Sequence, residues 1–163
     1  MRPLYRRCLW PFVLALVLSI LGPLEPQAEP QARLSKGQIV YVPAYSHIYS
    51  GDREHALLLT VTVSIRNVDL KHPITITKVA YYETQGKFLR DYMDKPAELK
   101  PLESTRFIVP QRDKAGGSGA NFIVEWHADE KVNAPIIESV MIGAQNQQGI
   151  SFTSRGQVLH VLP

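Results

Sequence analysis

The chain has 163 residues, with 18 Lys and Arg against 15 Asp and Glu and a single cysteine. That length suits one domain with a real hydrophobic core. The near balance of charge excludes the basic footprint of a nucleic-acid binder, and one cysteine excludes a disulfide framework and a Cys-rich zinc site.

The first element is a targeting segment. Arg2, Arg6 and Arg7 precede an apolar run from Leu9 to Leu21, and Pro, Gln, Ala and Glu follow it. Charged start, apolar middle and polar exit are the order of a secretory signal. The run falls short of the roughly 20 residues that a bilayer-spanning helix needs, so a cleaved signal fits better than a permanent anchor. The signal is expected over residues 1–28, with cleavage between 22 and 33, and residues 29–37 are expected to form a linker. A membrane enters only through this segment, if it stays uncleaved. Cys8 lies before the apolar run, whereas a bacterial lipoprotein cysteine would follow it. Its removal leaves a disulfide-free exported domain, periplasmic or extracellular, that relies on its core alone.

From Gln38 onward the pattern is β. Ile39–Val42 is a first apolar run, ended by Pro43. His55 to Asn67 is the clearest strand: Leu57, Leu59, Val61, Val63 and Ile65 fall on one face, and Leu58, Thr60, Thr62, Ser64 and Arg66 on the other. Asn67 to Pro73 carries turn chemistry. Ile74–Thr84 alternates again, with Ile74, Ile76, Lys78, Ala80 and Tyr82 opposing Thr75, Thr77, Val79, Tyr81 and Glu83. Gln85-Gly86 reads as a tight turn into Lys87–Tyr92, Ala97–Leu102 as a crossing segment, and Ser104–Val109 as a short strand. Gly116-Gly117-Ser118-Gly119 reads as a mobile loop.

In the next strand Phe122, Val124 and Trp126 face the core, opposite Ile123, Glu125 and His127. Ile136–Ile142, Ile150–Thr153 and Val158–Val161 close the chain. The expected fold is all-β: a single immunoglobulin-like antiparallel β-sandwich of about eight or nine strands over residues 38–163.

Two groups of residues carry chemistry. Tyr41, Tyr45, His47 and Tyr49 are evenly spaced and would share a face in an extended segment. An exposed aromatic row suits stacking on a partner's rings or cations. The opposing reading packs these rings on one end of the core. Glu125 and His127 form the second group, weak candidates for a metal site completed by His47, His55 or Glu138. An ordinary polar strand face, with Trp126 as the core residue, is the favoured explanation of the pair, and no cofactor is expected. Asn121 is a candidate to pin the glycine-rich loop. That loop lacks the ending of a phosphate-binding loop, and no Gly-x-Ser-x-Gly elbow occurs.

Half of the chain after the signal resembles immunoglobulin-like or fibronectin-like modules. The resemblance rests on Leu59-Thr-Val-Thr-Val-Ser-Ile-Arg-Asn67, Ile76 to Tyr82, Thr84-Gln85-Gly86, Leu99-Lys-Pro-Leu102 and Phe107-Ile-Val109. A closer resemblance, to a family of small exported bacterial proteins of unknown function, rests on four segments. They are Tyr41-Val-Pro-Ala-Tyr-Ser-His-Ile-Tyr49, Ser64-Ile-Arg-Asn67, Gly117-Ser-Gly-Ala-Asn-Phe122 and Gly149-Ile-Ser-Phe-Thr-Ser-Arg-Gly156. It implies an exported domain and no mechanism. The functional expectation is a non-catalytic module that binds a protein or envelope surface component through loops and Tyr45, His47 and Tyr49. The alternative is a metal- or carboxylate-dependent hydrolase using Glu125, His127 and Glu138.

Overall fold

The computed structural model describes residues 34–50, 55–145 and 148–163. The expected signal over 1–28 lies outside them. Among the described residues the chain forms twelve strands: β1 (Leu34–Pro43), β2 (His47–Ser50), β3 (His55–Leu58), β4 (Thr60–Arg66), β5 (Ile74–Tyr82), β6 (Phe88–Asp91), β7 (Ala97–Leu99), β8 (Ser104–Val109), β9 (Asn121–Asn133), β10 (Ile136–Gln145), β11 (Gln148–Arg155) and β12 (Gln157–Val161). One sheet has the order β12-β1-β9-β5-β6, with β7 also on β5; the second has the order β11-β10-β4-β8. β2 and β3 form a separate two-stranded ribbon. Every pairing is antiparallel. β1 starts at Leu34, so the last residues of the expected linker already belong to the sheet.

The two large sheets bury their alternating faces against each other. β4 contributes Val61, Val63 and Ile65, β10 contributes Ile137 and Met141, and β9 contributes Phe122, Val124 and Trp126. Burial of this apolar area is the main favourable contribution to folding. Trp126 is fully buried, as its register with Phe122 and Val124 requires. Its indole N–H finds no acceptor among the described residues.

Two departures from simple alternation decide what faces outward. On β5, Ile74 and Ile76 point inward, and then Val79 and Tyr81 do. The pairing of β5 with β9 slips between Ile76 and Lys78. That bulge inserts one residue, moves the inward phase from even to odd positions and buries Tyr81 rather than Tyr82. The second departure is at Leu59. The expected single strand from His55 to Asn67 breaks there into β3 and β4, which join different sheets. Leu59 itself is fully buried, and its N–H donates to the Ser46 carbonyl at 2.9 Å.

Side-chain ties fix the turn after β4. Asn67 Nδ2 donates to the carbonyls of His72, Leu99 and Lys100, and its Oδ1 accepts the Asp69 N–H. Asp69 in turn accepts the N–H groups of Lys71, His72 and Asn133. Further on, the Glu103 N–H closes a turn onto the Lys100 carbonyl, with Pro101 and Leu102 in the middle. Leu102 sits there at φ 62°, a position that glycine would fill without steric penalty.

Candidate recognition surface

The aromatic segment does not form one row. β1 ends at Pro43, Ala44 and Ser46 are buried, and the chain turns before β2 begins at His47. Tyr45 is half-buried and packs on the core. Tyr49 is 53 % exposed. His47 meets it edge-on, with ring centres 5.2 Å apart and Nε2 lying 3.3 Å from the Tyr49 hydroxyl. The expected four-residue face is thereby reduced to a pair, His47 and Tyr49, on β2.

β3 completes the ribbon, pairing His47 with Leu58 and Tyr49 with Ala56. Two hollows border β3. One, of about 200 Å³, is lined by His55, Ala56, Leu57, Gln111 and Ala144. The other, wide open and about 460 Å³, is lined by Leu58, Pro110, Gln111 and Arg112. β10 passes close beneath the ribbon at Gly143, where a Cβ would lie 2.7 Å from the Leu58 carbonyl oxygen. Only glycine fits that approach.

The wall formed by Pro110 to Arg112 is held by a polar network that leads into the core. Arg90, on β6, pairs with Asp113 and donates to the Tyr92 hydroxyl at 2.8 Å. Its guanidinium lies 5.3 Å from the centre of the Tyr81 ring and 5.1 Å from that of Tyr92. Burial alone would raise the Asp113 carboxyl, but Arg90 and the Ala115 N–H outweigh it and hold the group below its usual range. Burial pushes the Tyr81 hydroxyl up, and it shares a 3.1 Å hydrogen bond with Ser46.

The glycine-rich loop is not free. Thr84 Oγ1 accepts the Gly119 N–H and donates to the Gly116 carbonyl, and the Ser46 N–H donates to the Gly117 carbonyl. Gly116 is buried against Tyr81. The ties come from Thr84 and Ser46; Asn121 instead opens β9, half-buried between Pro43 and Tyr82.

Glu125, His127 and Glu138 are not brought together. Glu125 and His127 lie on the outer face of the larger sheet, with the buried Trp126 between them. Glu125 pairs with Lys78 at 3.6 Å, and His127 stands beside Thr75. Glu138 is on β10, in the other sheet, where it pairs with Arg66 at 2.5 Å. Among the described residues no group of three or more His, Cys, Asp or Glu side chains is placed to hold a metal ion. A cleft of about 240 Å³ lies beyond the other end of β4, beside Lys71, His72, Glu98, Asp129 and Glu130. Its lysine and carboxylates are solvent-exposed.

Sequence patterning pointed to His47 and Tyr49 and missed Leu58, Gln111 and Arg112. The last two sit in an irregular loop with no periodicity. The only signal was the apolar Leu58 on the face of the alternating strand otherwise given to polar residues.

A family model described as "Protein of unknown function (DUF3124)" matches residues 37–159. The crystal structure of Thermotoga maritima 1070 aligns with 11% identity and a TM-score of 0.42, covering 74% of this chain and 92% of that one. No curated protein matches the chain.

Proposed function

The chain belongs to the family described as a protein of unknown function (DUF3124), and we propose that it is an exported, non-catalytic β-sandwich that recognises a protein or envelope component through the β2–β3 ribbon. The observation that carries this reading is Tyr49, a large ring half out in solvent and backed edge-on by His47. Aromatic rings supply contact area with few rotors to immobilise, which is why interfaces favour them. The ribbon stands on a rigid support: Ile48 packs on the core, and Leu59 anchors the base of β3. Binding elements on a rigid scaffold are a common arrangement. Export is inferred from the basic and apolar run before residue 28.

We also read the sandwich as immunoglobulin-like. β4 pairs with β8 in one sheet and β5 with β9 in the other, the arrangement of the four central strands in that architecture. The outer strands depart from it, since β10 pairs with β4 rather than with β9.

The test is photocrosslinking in cells. A photoreactive residue at Tyr49 is compared with one at Lys131, an exposed position on β9. Recognition through the ribbon gives discrete adducts from position 49 that are absent from position 131. The same adducts from both positions, or none from position 49, would exclude it.

A further inference from the structure

We infer that the outer edge of β3 is a strand-addition site for an extended, acidic segment of a partner polypeptide. This rests on the recognition reading above and names the partner's chemistry.

The backbone of β3 sets the first condition. The Leu59 N–H bonds the Ser46 carbonyl, so Ser46/Leu59 and Ile48/Leu57 are bonded pairs, and the alternate pairs His47/Leu58 and Tyr49/Ala56 are not. Ala56 and Leu58 therefore turn their N–H and C=O groups away from β2. Among the described residues no strand pairs with β3 on that side, because the ribbon is two strands wide. At Leu58 the carbonyl is met by Gln111 Nε2 at 3.4 Å and is also approached closely by Gly143 of β10. That long bond stands where the N–H of an added strand would come.

The side chains set the second condition. Edge strands are usually blunted by shortness, fixed charge, proline, bulges or a covering loop. β3 is short, with four residues, but it reads His-Ala-Leu-Leu and carries no lysine, acid or proline. The two hollows lie along its edge, and an added strand projects its side chains alternately, so each hollow can receive one. The edge of β12 is also free of fixed charge, with Leu159 57 % and Val161 56 % exposed, but neither hollow borders it.

Charge selects the occupant. Arg112 is exposed, lines the larger hollow and makes no ion pair among the described residues. No carboxylate is among the described residues lining either hollow. An acidic side chain, or a terminal carboxylate on an extended segment, complements that cation.

The experiment selects random peptides displayed on phage against the protein purified after expression of the full chain. Enriched peptides are expected to carry Asp, Glu or a free C-terminal carboxylate. Their affinity should fall about tenfold or more on Arg112→Glu, the size expected for loss and reversal of a charge contact. N-methylation at alternate peptide residues should abolish binding, and methylation at the intervening residues should not. Gln111→Ala should strengthen binding, because it frees the Leu58 carbonyl. Circular dichroism and the melting temperature confirm that both variants, at exposed positions, stay folded. No enrichment, enriched peptides without acids, equal binding to Arg112→Glu, or insensitivity to N-methylation would each overturn the inference. If crosslinks from position 49 persist unchanged in the Arg112→Glu protein, the recognition reading stands and the strand-addition site fails.

Discussion

Arg90 and Asp113 form an ion pair that clasps the two sheets together, since Arg90 lies on β6 of one and Asp113 in the loop leaving β8 of the other. The Tyr81 and Tyr92 rings flank the guanidinium, so the pair carries cation–π contact as well as charge. Replacing Arg90 with Met keeps most of the apolar stem and removes both. With Arg90 partly in solvent, the loss should be modest, about 1–2 kcal/mol by denaturant unfolding. The readout specific to the clasp is hydrogen exchange at Ala115 to Gly119, which should speed up more than exchange in β4.

Gly116 is the second clasp. A Cβ there would run into the Tyr81 hydroxyl and lie 2.6 Å from the Ala120 Cβ. Gly116→Ala should destabilise by at least about 2 kcal/mol through overpacking. Tyr81→Phe removes the struck oxygen and also the bond to Ser46. The two changes together should therefore be milder than their sum, a coupling that a double-mutant cycle in urea reads directly. Strict additivity would mean that the loop shifts away rather than pressing on Tyr81.

Asp69 makes stability depend on acidity. The Asn133 N–H, then those of Lys71 and His72, hold its carboxyl down to about 2 from an ordinary 3.8. A group whose folded value is depressed contributes stability above its unfolded value, and that contribution fades as pH falls from about 4 to about 2. Asp69→Ala leaves those donors unmatched and should cost about 2–4 kcal/mol near neutral pH. The gap between wild type and variant should shrink through that acid window. A gap independent of pH would show that Asp69 acts by packing alone.

Tyr45 and Tyr49 should behave oppositely. Tyr45→Ser removes a ring from the margin of the core and should lower stability by about 1–3 kcal/mol. Tyr49→Ser, at an exposed site, should stay within about 0.5 kcal/mol. Thermal melts of the two single variants separate them; equal losses would place Tyr49 in the core.

Sequence pattern was a sound guide wherever one alternating run stayed in one sheet. Val61, Val63 and Ile65, and Phe122 with Trp126, face inward as their spacing demands. It misled where a single residue changed the phase. The bulge between Ile76 and Lys78 leaves no mark in composition, so simple alternation sets Tyr81 opposite Ile74 and Ile76, whereas all three are buried. The break at Leu59 was hidden because apolar residues continue evenly through it. The clasp joins Arg90 to a residue 23 positions away in an irregular loop, and the hollow beside Arg112 exists only once that loop is folded back. The exposure of Tyr49 agrees with its place in a segment of few aliphatic residues, but the same reasoning fails for Tyr45, which packs on the core.

The break at Leu59 has a mechanical side. β3 runs into β4 with one residue between them, and β4 is laddered on both flanks, to β10 and to β8. A pull applied along β3 therefore arrives as shear on two rows of backbone bonds at once, which must slip together rather than peel one by one. A chain held by its ribbon is gripped at a central strand of the four-stranded sheet.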